Sequence, residues 1–365
     1  MKAVILVGGE GTRLQPLTCN TPKALVPVLN IPFLEHVIRH LSKHGVKDVV
    51  LTIGHLAEPI ESYFGDGSRL GVRLNYSVED TPLGTAGGIK NAEKYVDDTF
   101  LALNGDIFSD LDITAMLKFH RERKAKATIS LTPVEDPTAY GLIETDATGR
   151  IMQFLEKPEP SQITTNMINA GTYVLEPDVL ARVPSQTRVS IERETFPSLL
   201  EDGEPVYAYS SAGYWMDTGT PEKYLQLHRD LLAGKSSHYT PETDAEVIIG
   251  GQSSVHPTAQ IDGPVLVGDN CSIGQGVKLK GPVVIGNDCA VLEDTVIEDS
   301  VIWHHVRLGP HAELKKSMVA DHCLIGAGCS VVECVLGDHV TVVAGAKPAP
   351  GSRIWPGETV GARTD

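Results

Sequence analysis

Residues 6–28 read LVGGEGTRLQPLTCNTPKALVPV, and the glycines in them follow the apolar run 3–7 directly. Gly8, Gly9 and Gly11 would let backbone N–H groups approach an anion, and Thr12 and Arg13 come at once after them. Arg13 offers a planar fork for two phosphate oxygens, and Lys23, behind Pro22, adds a second positive charge. The competing reading of any one piece is a glycine-rich turn with solvated basic residues. A dinucleotide fingerprint needs glycine where Leu14 stands, and no Gly-Lys-Ser/Thr closes a P-loop. Two carboxylates extend the set. Asp106 follows the apolar stretch TFLALNG, at the strand edge where open α/β sheets bind ligands. Asp217, between Trp215 and Gly219, is expected in a tight, partly buried turn. Alone, each reads more naturally as a cap or turn aspartate.

The elements that must hold these residues follow two different patterns. Through residue 233, strand-like and helix-like segments alternate. Leu34, Val37, Ile38 and Leu41 recur at helical spacing with Gly45 where a C-cap belongs, and 49–53 is an apolar run fit for a doubly buried strand. Thr85 is placed to cap a helix through Ile89 and Ala92. This order predicts a Rossmann-like α/β domain over 1–233, its mostly parallel sheet covered by helices on both faces. Residues 234–246 are polar and aperiodic and read as a linker.

From 247 to 365 the period becomes six. Val255, Ile261, Val267, Ile273, Leu279, Ile285, Val291 and Ile297 keep that step unbroken; a five-residue step leads to Ile302, Leu308 and Leu314. Two more short steps start Val319, Ile325, Val331 and then Leu336, Val342. This is the hexapeptide pattern of a parallel β-helix, one aliphatic per side of each coil. Cys271 and Cys289, three such steps apart, should stack on successive coils as small apolar residues rather than as a disulfide or metal pair.

The 365 residues carry a formal charge of −16 and no basic block, which argues against nucleic acid and anionic membranes as partners. No stretch approaches the roughly 18 apolar residues of a membrane span. The six cysteines include no C-x-x-C pair, and the expected compartment is the reducing cytoplasm.

Gly8 to Thr18 with Pro22-Lys23 matches G-G-x-G-T-R-L-x-P-L-T…P-K, and on these residues the chain resembles the sugar-nucleotide pyrophosphorylases. PLGTAGGI at 82–89, EKP at 156–158, INAGTYVL at 168–175, SIERETFP at 190–197 and GYWMDTGTPEKY at 213–224 are similar to the mannose-1-phosphate guanylyltransferase branch. That branch appends a left-handed β-helix, so the resemblance covers nearly the whole chain. It implies Mg²⁺-dependent transfer of a nucleotidyl group from a nucleoside triphosphate to a sugar 1-phosphate. Leu6, Gly8, Gly9, Gly11, Thr12, Arg13, Lys23, Gly84, Thr85, Ala86 and Asp106 are then expected at the nucleotide, with Asp106 and Asp217 on the metal. Gly141, Glu156, Lys157, Asn169 and Asp217 are expected at the sugar, and Arg13, Lys23 and Lys157 in catalysis.

Glucose-1-phosphate thymidylyl- or uridylyltransfer is the alternative within the same chemistry. Thymidylyltransferases typically carry a glutamine near the base loop, and residues 79–92 contain none. A non-catalytic sugar-nucleotide-binding paralogue would be expected to have lost loop or metal residues that this chain retains. Catalytic acyl transfer by His304, His305, His311 or His322 ranks below their use as polar β-helix corners. The β-helix, with unpaired end coils, is expected to mediate homo-oligomerisation.

Overall fold

The computed structural model describes residues 1–54, 57–237 and 246–361. Of the expected linker, 238–245 lie outside the described residues. Two compact units form: Met1–Gly9 with Leu34–Trp215, and Glu10–Phe33 with Met216–Asp365.

A nine-stranded sheet organises the first unit. Its strands are β1 (Lys2–Leu6), β2 (Asp48–Ile53), β3 (Arg73–Val78), β4 (Phe100–Asn104), β5 (Ala127–Pro133), β6 (Gly141–Thr145), β7 (Ile151–Glu156), β8 (Met167–Leu175) and β9 (Val206–Ser210). β1 lies between β2 and β4, parallel to both, and β3 extends the parallel set beyond β2. Ala3, Val4, Ile5, Val49, Val50 and Leu51 are buried, as strands covered on both faces require. β8 joins β4 antiparallel and also pairs with β5 and β6, while β9 runs parallel to β5. Around the parallel core the chain thus adds an antiparallel extension that carries β6, β7 and β8.

Helices are α1 (Phe33–Lys43), α2 (Ala57–Phe64), α3 (Gly84–Asn91), α4 (Ile113–Arg123), α5 (Phe196–Glu201) and α6 (Pro221–Leu232). Leu34, Ile38 and Leu41 form the buried stripe of α1. Its end is a Schellman turn: Gly45, at φ 78°, donates to the Ser42 carbonyl and Val46 donates to that of Leu41. Thr85 does not cap α3. The helix starts one residue earlier, at Gly84, and the Thr85 hydroxyl is bonded elsewhere.

The second unit is built on the parallel β-helix. Val267 pairs with Ile285 eighteen residues on, whereas Ile302 pairs with Val319 after seventeen. The missing residue is always taken from one corner, where Asp299, Lys316 and Glu333 stand at φ 49°, 48° and 54°. Asn270, Asp288, His305, His322 and His339 occupy a second corner column, also left-handed, a conformation for which Asn, Asp and His are enriched. The rings of His305 and His322 stack there at 4.7 Å, and those of His322 and His339 at 4.9 Å. Periodic aliphatics from Val267 to Val342 fill the interior with Cys271 and Cys289, whose thiols donate to the Gly286 and Trp303 carbonyls.

Outside this interior, Val284, Val301, Met318 and Val335 form a column facing away from it, and all four are nevertheless buried. α6 and residues 10–33 attach to the same coils. The Asn30 amide donates to the Ile285 carbonyl (2.8 Å), and Arg229 grips Asp299 with two bonds of 2.7 and 2.6 Å. Tyr224 donates to the Pro27 carbonyl and accepts from the Trp303 indole (3.0 Å). His228 Nε2 accepts from Leu29 N–H, so Nδ1 carries the proton given to the Tyr224 carbonyl.

Tyr224→Phe would leave two buried groups without their partner and should lower the unfolding free energy by about 1–3 kcal/mol in denaturant titrations. An unchanged midpoint would show that this hydroxyl does not join residue 27 to the β-helix.

Candidate active site

In the first unit, the carboxyl ends of β1, β2 and β4 are knit by backbone bonds. Val7 donates to Thr52 and Gly105 donates to Leu6, both at 2.9 Å. A Cβ on Gly105 would stand 2.6 Å from the Leu6 oxygen, so only glycine allows this approach, which sets Asp106 just past the strand ends. Gly8 and Gly9 have no such requirement. A Cβ at Gly9 would meet nothing within 4 Å, and glycine there leaves bare backbone beside open space.

The loop opening α3 is shaped by segment 187–192. Gly84 sits at φ 72°, and a Cβ on it would be 2.7 Å from the Val189 oxygen. That oxygen accepts the N–H groups of Ala86 (3.0 Å) and Gly87 (3.3 Å), while Val189 N–H returns to the Leu83 carbonyl. Thr85 Oγ1 donates to Glu192 (2.7 Å) and accepts from Ile191 N–H (2.8 Å). The Thr85 hydroxyl and Ala86 amide, expected at a nucleobase, are therefore engaged within the chain.

Glu192 lies in one π-helical turn, Ile191–Thr195, a local widening that often marks functional sites. It also accepts from Ser190 Oγ (2.8 Å) and Tyr173 OH (3.3 Å). Tyr173 accepts from the Asn169 amide at 2.9 Å, and Asn169 Oδ1 takes the Gly171 N–H across a bulge in β8. One network thus runs from Thr85 through Glu192 and Tyr173 to Asn169.

Glu156 ends β7 opposite Gly141 of β6, where a Cβ would be 2.8 Å from its Oε2. Burial, and then the charge of Glu192, push the Glu156 carboxyl above the usual carboxylate range, while Arg193 and Lys157 pull the other way. Lys157 is exposed and held at φ 54°, a conformation costly for a non-glycine residue and enriched at functional positions.

Glu79 was not anticipated. At the end of β3, it accepts from Leu83 N–H (3.0 Å), and its Oε2 would be 3.9 Å from a Cβ on Gly8. Burial raises its pKa as well. The carboxyl-edge argument that singled out Asp106 applies equally to Glu79. Glu192 lay inside a quoted motif, but its partners Thr85 and Tyr173 are distant in sequence.

In the second unit, Gly11 adopts φ 64°, and its carbonyl accepts from Thr18 Oγ1 (2.8 Å). A short turn at Thr12–Leu14 follows, with Leu14 buried and Arg13 exposed. The Arg13 guanidinium lies against Gly219, where a Cβ would be 2.8 Å from Nη2. Asp217 closes the short strand Trp215–Asp217 rather than occupying a turn, and pairs with Lys223 at 3.3 Å. Lys23 is half-buried, its Cβ 3.3 Å from where a Gly11 Cβ would stand.

A doubly wound sheet with an open glycine-rich first loop and carboxylates at its strand ends, in a chain that also carries a parallel β-helix, defines a nucleotide-binding transferase class. Residues 2–234 match the nucleotidyl transferase family and residues 278–347 the GMPPB C-terminal domain. The chain belongs to the nucleotidyl transferase family. It is 45% identical over 234 residues to the mannose-1-phosphate guanylyltransferase of Mycobacterium tuberculosis, a match covering 64% of this chain and 65% of that one. A UTP–glucose-1-phosphate uridylyltransferase of Synechocystis is 36% identical, covering 91% of this chain and 90% of the relative. The mannose-1-phosphate guanylyltransferase catalytic subunit beta of Danio rerio is 41% identical over 62% of this chain and 63% of its own length. Among solved structures, HddC from Yersinia pseudotuberculosis complexed with GMP-PN is similar at a TM-score of 0.54 and 29% identity, over 62% of this chain and 97% of that chain.

Because its folded pKa is raised, Glu156 costs stability as pH rises through the window above the ordinary glutamate value, and the cost vanishes below it. Glu156→Gln should therefore be more stable than the wild type near pH 7 and lose that advantage near pH 4. Equal stability differences at both pH values would contradict the raised pKa.

Proposed function

We propose that the protein transfers a guanylyl group from GTP to mannose 1-phosphate, releasing pyrophosphate and forming GDP-mannose. The observation that carries this reading is the network joining Thr85 of the base loop to Asn169 of the sugar strand through Glu192 and Tyr173. Such a network couples recognition of the two substrates. A sugar-phosphate oxygen attacks the α-phosphorus and pyrophosphate leaves in line, so catalysis rests on positioning and charge neutralisation. Backbone N–H groups of Gly8, Gly9, Gly11 and Thr12 bind the triphosphate; Arg13 and Lys23 bind the departing pyrophosphate. Lys157 neutralises the attacking phosphate, and Glu156 and Asn169 accept and donate to sugar hydroxyls beside Gly141.

Asp106 and Asp217 are carboxylates, the donor type that suits Mg²⁺. Among the described residues no group of three or more His, Cys, Asp or Glu could hold an ion alone, so an ion there needs phosphate or water oxygens as further ligands. When bound, Mg²⁺ would offset charge on the transferring phosphate. The catalytic domain is taken as 1–233, the β-helix as left-handed, and a cytoplasmic homo-oligomer as the working form.

Glu79 favours guanine. Its half-buried carboxylate has unused acceptor capacity beside the base loop, and guanine presents N1–H and N2–H₂ donors together. The cyanobacterial relative supports the second reading, uridylyl transfer to glucose 1-phosphate. A matrix of nucleoside triphosphates against sugar 1-phosphates, scored by pyrophosphate release, separates them: GTP with mannose 1-phosphate should give the highest kcat/KM. Glu79→Gln should reduce the preference for GTP over UTP by about tenfold or more, the scale of one hydrogen bond to a charged group. An unaltered ratio would remove Glu79 from base recognition. Lys157→Ala should lower kcat by about 10²–10³-fold without loss of folding, and near-normal turnover would remove it from the mechanism.

A further inference from the structure

The outward column of the β-helix ends in a change of chemistry. Val284, Val301, Met318 and Val335 pair in succession, and the next residue in register is Arg353. Its neighbour Ile354 continues the interior stack under Leu336, so Arg353 projects outward as the residues above it do. Arg353 Nη1 donates to the backbone carbonyls of Arg13 (3.4 Å) and Gln15 (3.1 Å). Glu222, in the first turn of α6, feels the same guanidinium. Burial would raise its pKa, but hydrogen bonding from Thr220 and the charge of Arg353 bring it below the ordinary value. At the same end of the stack, Asn20 hydrogen-bonds the buried Asp338.

We propose that Arg353 is a positioning residue for nucleotidyl transfer: it ties the glycine-rich loop to the last coils of the β-helix and fixes the direction in which Arg13 leaves the backbone. The inference rests on the nucleotidyltransferase reading for its catalytic consequence, though not for the tie itself. The loop's own bonds are short-range: Thr18 Oγ1 donates to the Gly11 carbonyl (2.8 Å), Leu17 N–H to Leu14 and Cys19 N–H to Pro16 (both 3.3 Å). Residues 12–14 make one short turn, closed by Leu14 N–H to Gly11 and Gln15 N–H to Thr12, and the carbonyls of residues 13 and 15 remain for outside donors. One guanidinium nitrogen carries two hydrogens, enough for both carbonyls. Arg353 lies in the last coils, beyond the residues 278–347 that match the C-terminal family domain. On this reading the β-helix is a structural support of the loop that carries Arg13.

Hydrogen exchange read by mass spectrometry tests the tie directly in the full-length chain. R353A should accelerate exchange across residues 11–18 by about tenfold, the effect of losing roughly one charged hydrogen bond, while the interior strands near Ile302 and Val319 keep their protection. R353K, which restores one cationic donor, should recover part of it. Unchanged exchange over 11–18, or acceleration spread equally through the β-helix, would overturn the proposal. Steady-state kinetics add the functional arm: R353A should raise KM for the nucleoside triphosphate by about tenfold and leave KM for the sugar 1-phosphate within about twofold. Equal changes in both would also overturn it. A wild type inert toward every nucleotide–sugar pair would instead sink the functional reading, and the exchange result would still decide whether Arg353 holds the loop.

Discussion

Residues 10–33 carry Arg13 and Lys23 yet contain only two single-turn helices, a run of tight turns at 15–18 and a pair of two-residue strands, too little to hold a conformation unaided. Their shape is imposed from outside. Asn30 is bonded to Ile285, Pro27 to Tyr224, Leu29 to His228 and the carbonyls of Arg13 and Gln15 to Arg353. The buried column Val284, Val301, Met318, Val335 supplies the apolar face behind this arrangement. An exposed β-helix would not keep four aliphatics on its outer surface, so the column and the loop explain each other.

The first unit meets the opposite problem: it must keep polar groups half-buried without letting them collapse on one another. Glu156 and Glu192 repel, and Glu79 and Glu156 both sit where burial disfavours their charge. Bonds from Thr85, Ser190 and Tyr173 hold Glu192, and a backbone N–H holds Glu79. Carboxylates kept short of solvent and partners retain affinity for hydroxyl and N–H donors of a ligand. Burial of the Glu79 and Glu156 carboxyls costs stability where they are ionised.

Much of this architecture was legible because it repeats or alternates. A hexad period admits one register, and even the seventeen-residue coils follow from the five-residue steps at Ile297–Ile302 and Leu314–Val319. The Gly45 cap was equally readable, since a left-handed residue after a helix admits few alternatives. Thr85 shows the limit: a threonine before a helical pattern suits capping, but the Glu192 carboxylate, distant in sequence, competes for its hydroxyl and wins. Arg353 has meaning only through long-range contacts that no local pattern encodes, whereas Glu79, just past the end of β3, was open to the strand-edge argument applied to Asp106. The doublets Val284-Ile285, Val301-Ile302 and Val335-Leu336 did hold a clue, for a second aliphatic beside each core residue signals a covered outer face.

The central claim is chemistry at the α-phosphorus, and isotope placement tests it most directly. With GTP labelled at the α-phosphorus and mannose 1-phosphate, the label should appear in the nucleotide sugar, while a γ-label should appear in pyrophosphate. A γ-label released as inorganic phosphate or transferred to the sugar would contradict the account.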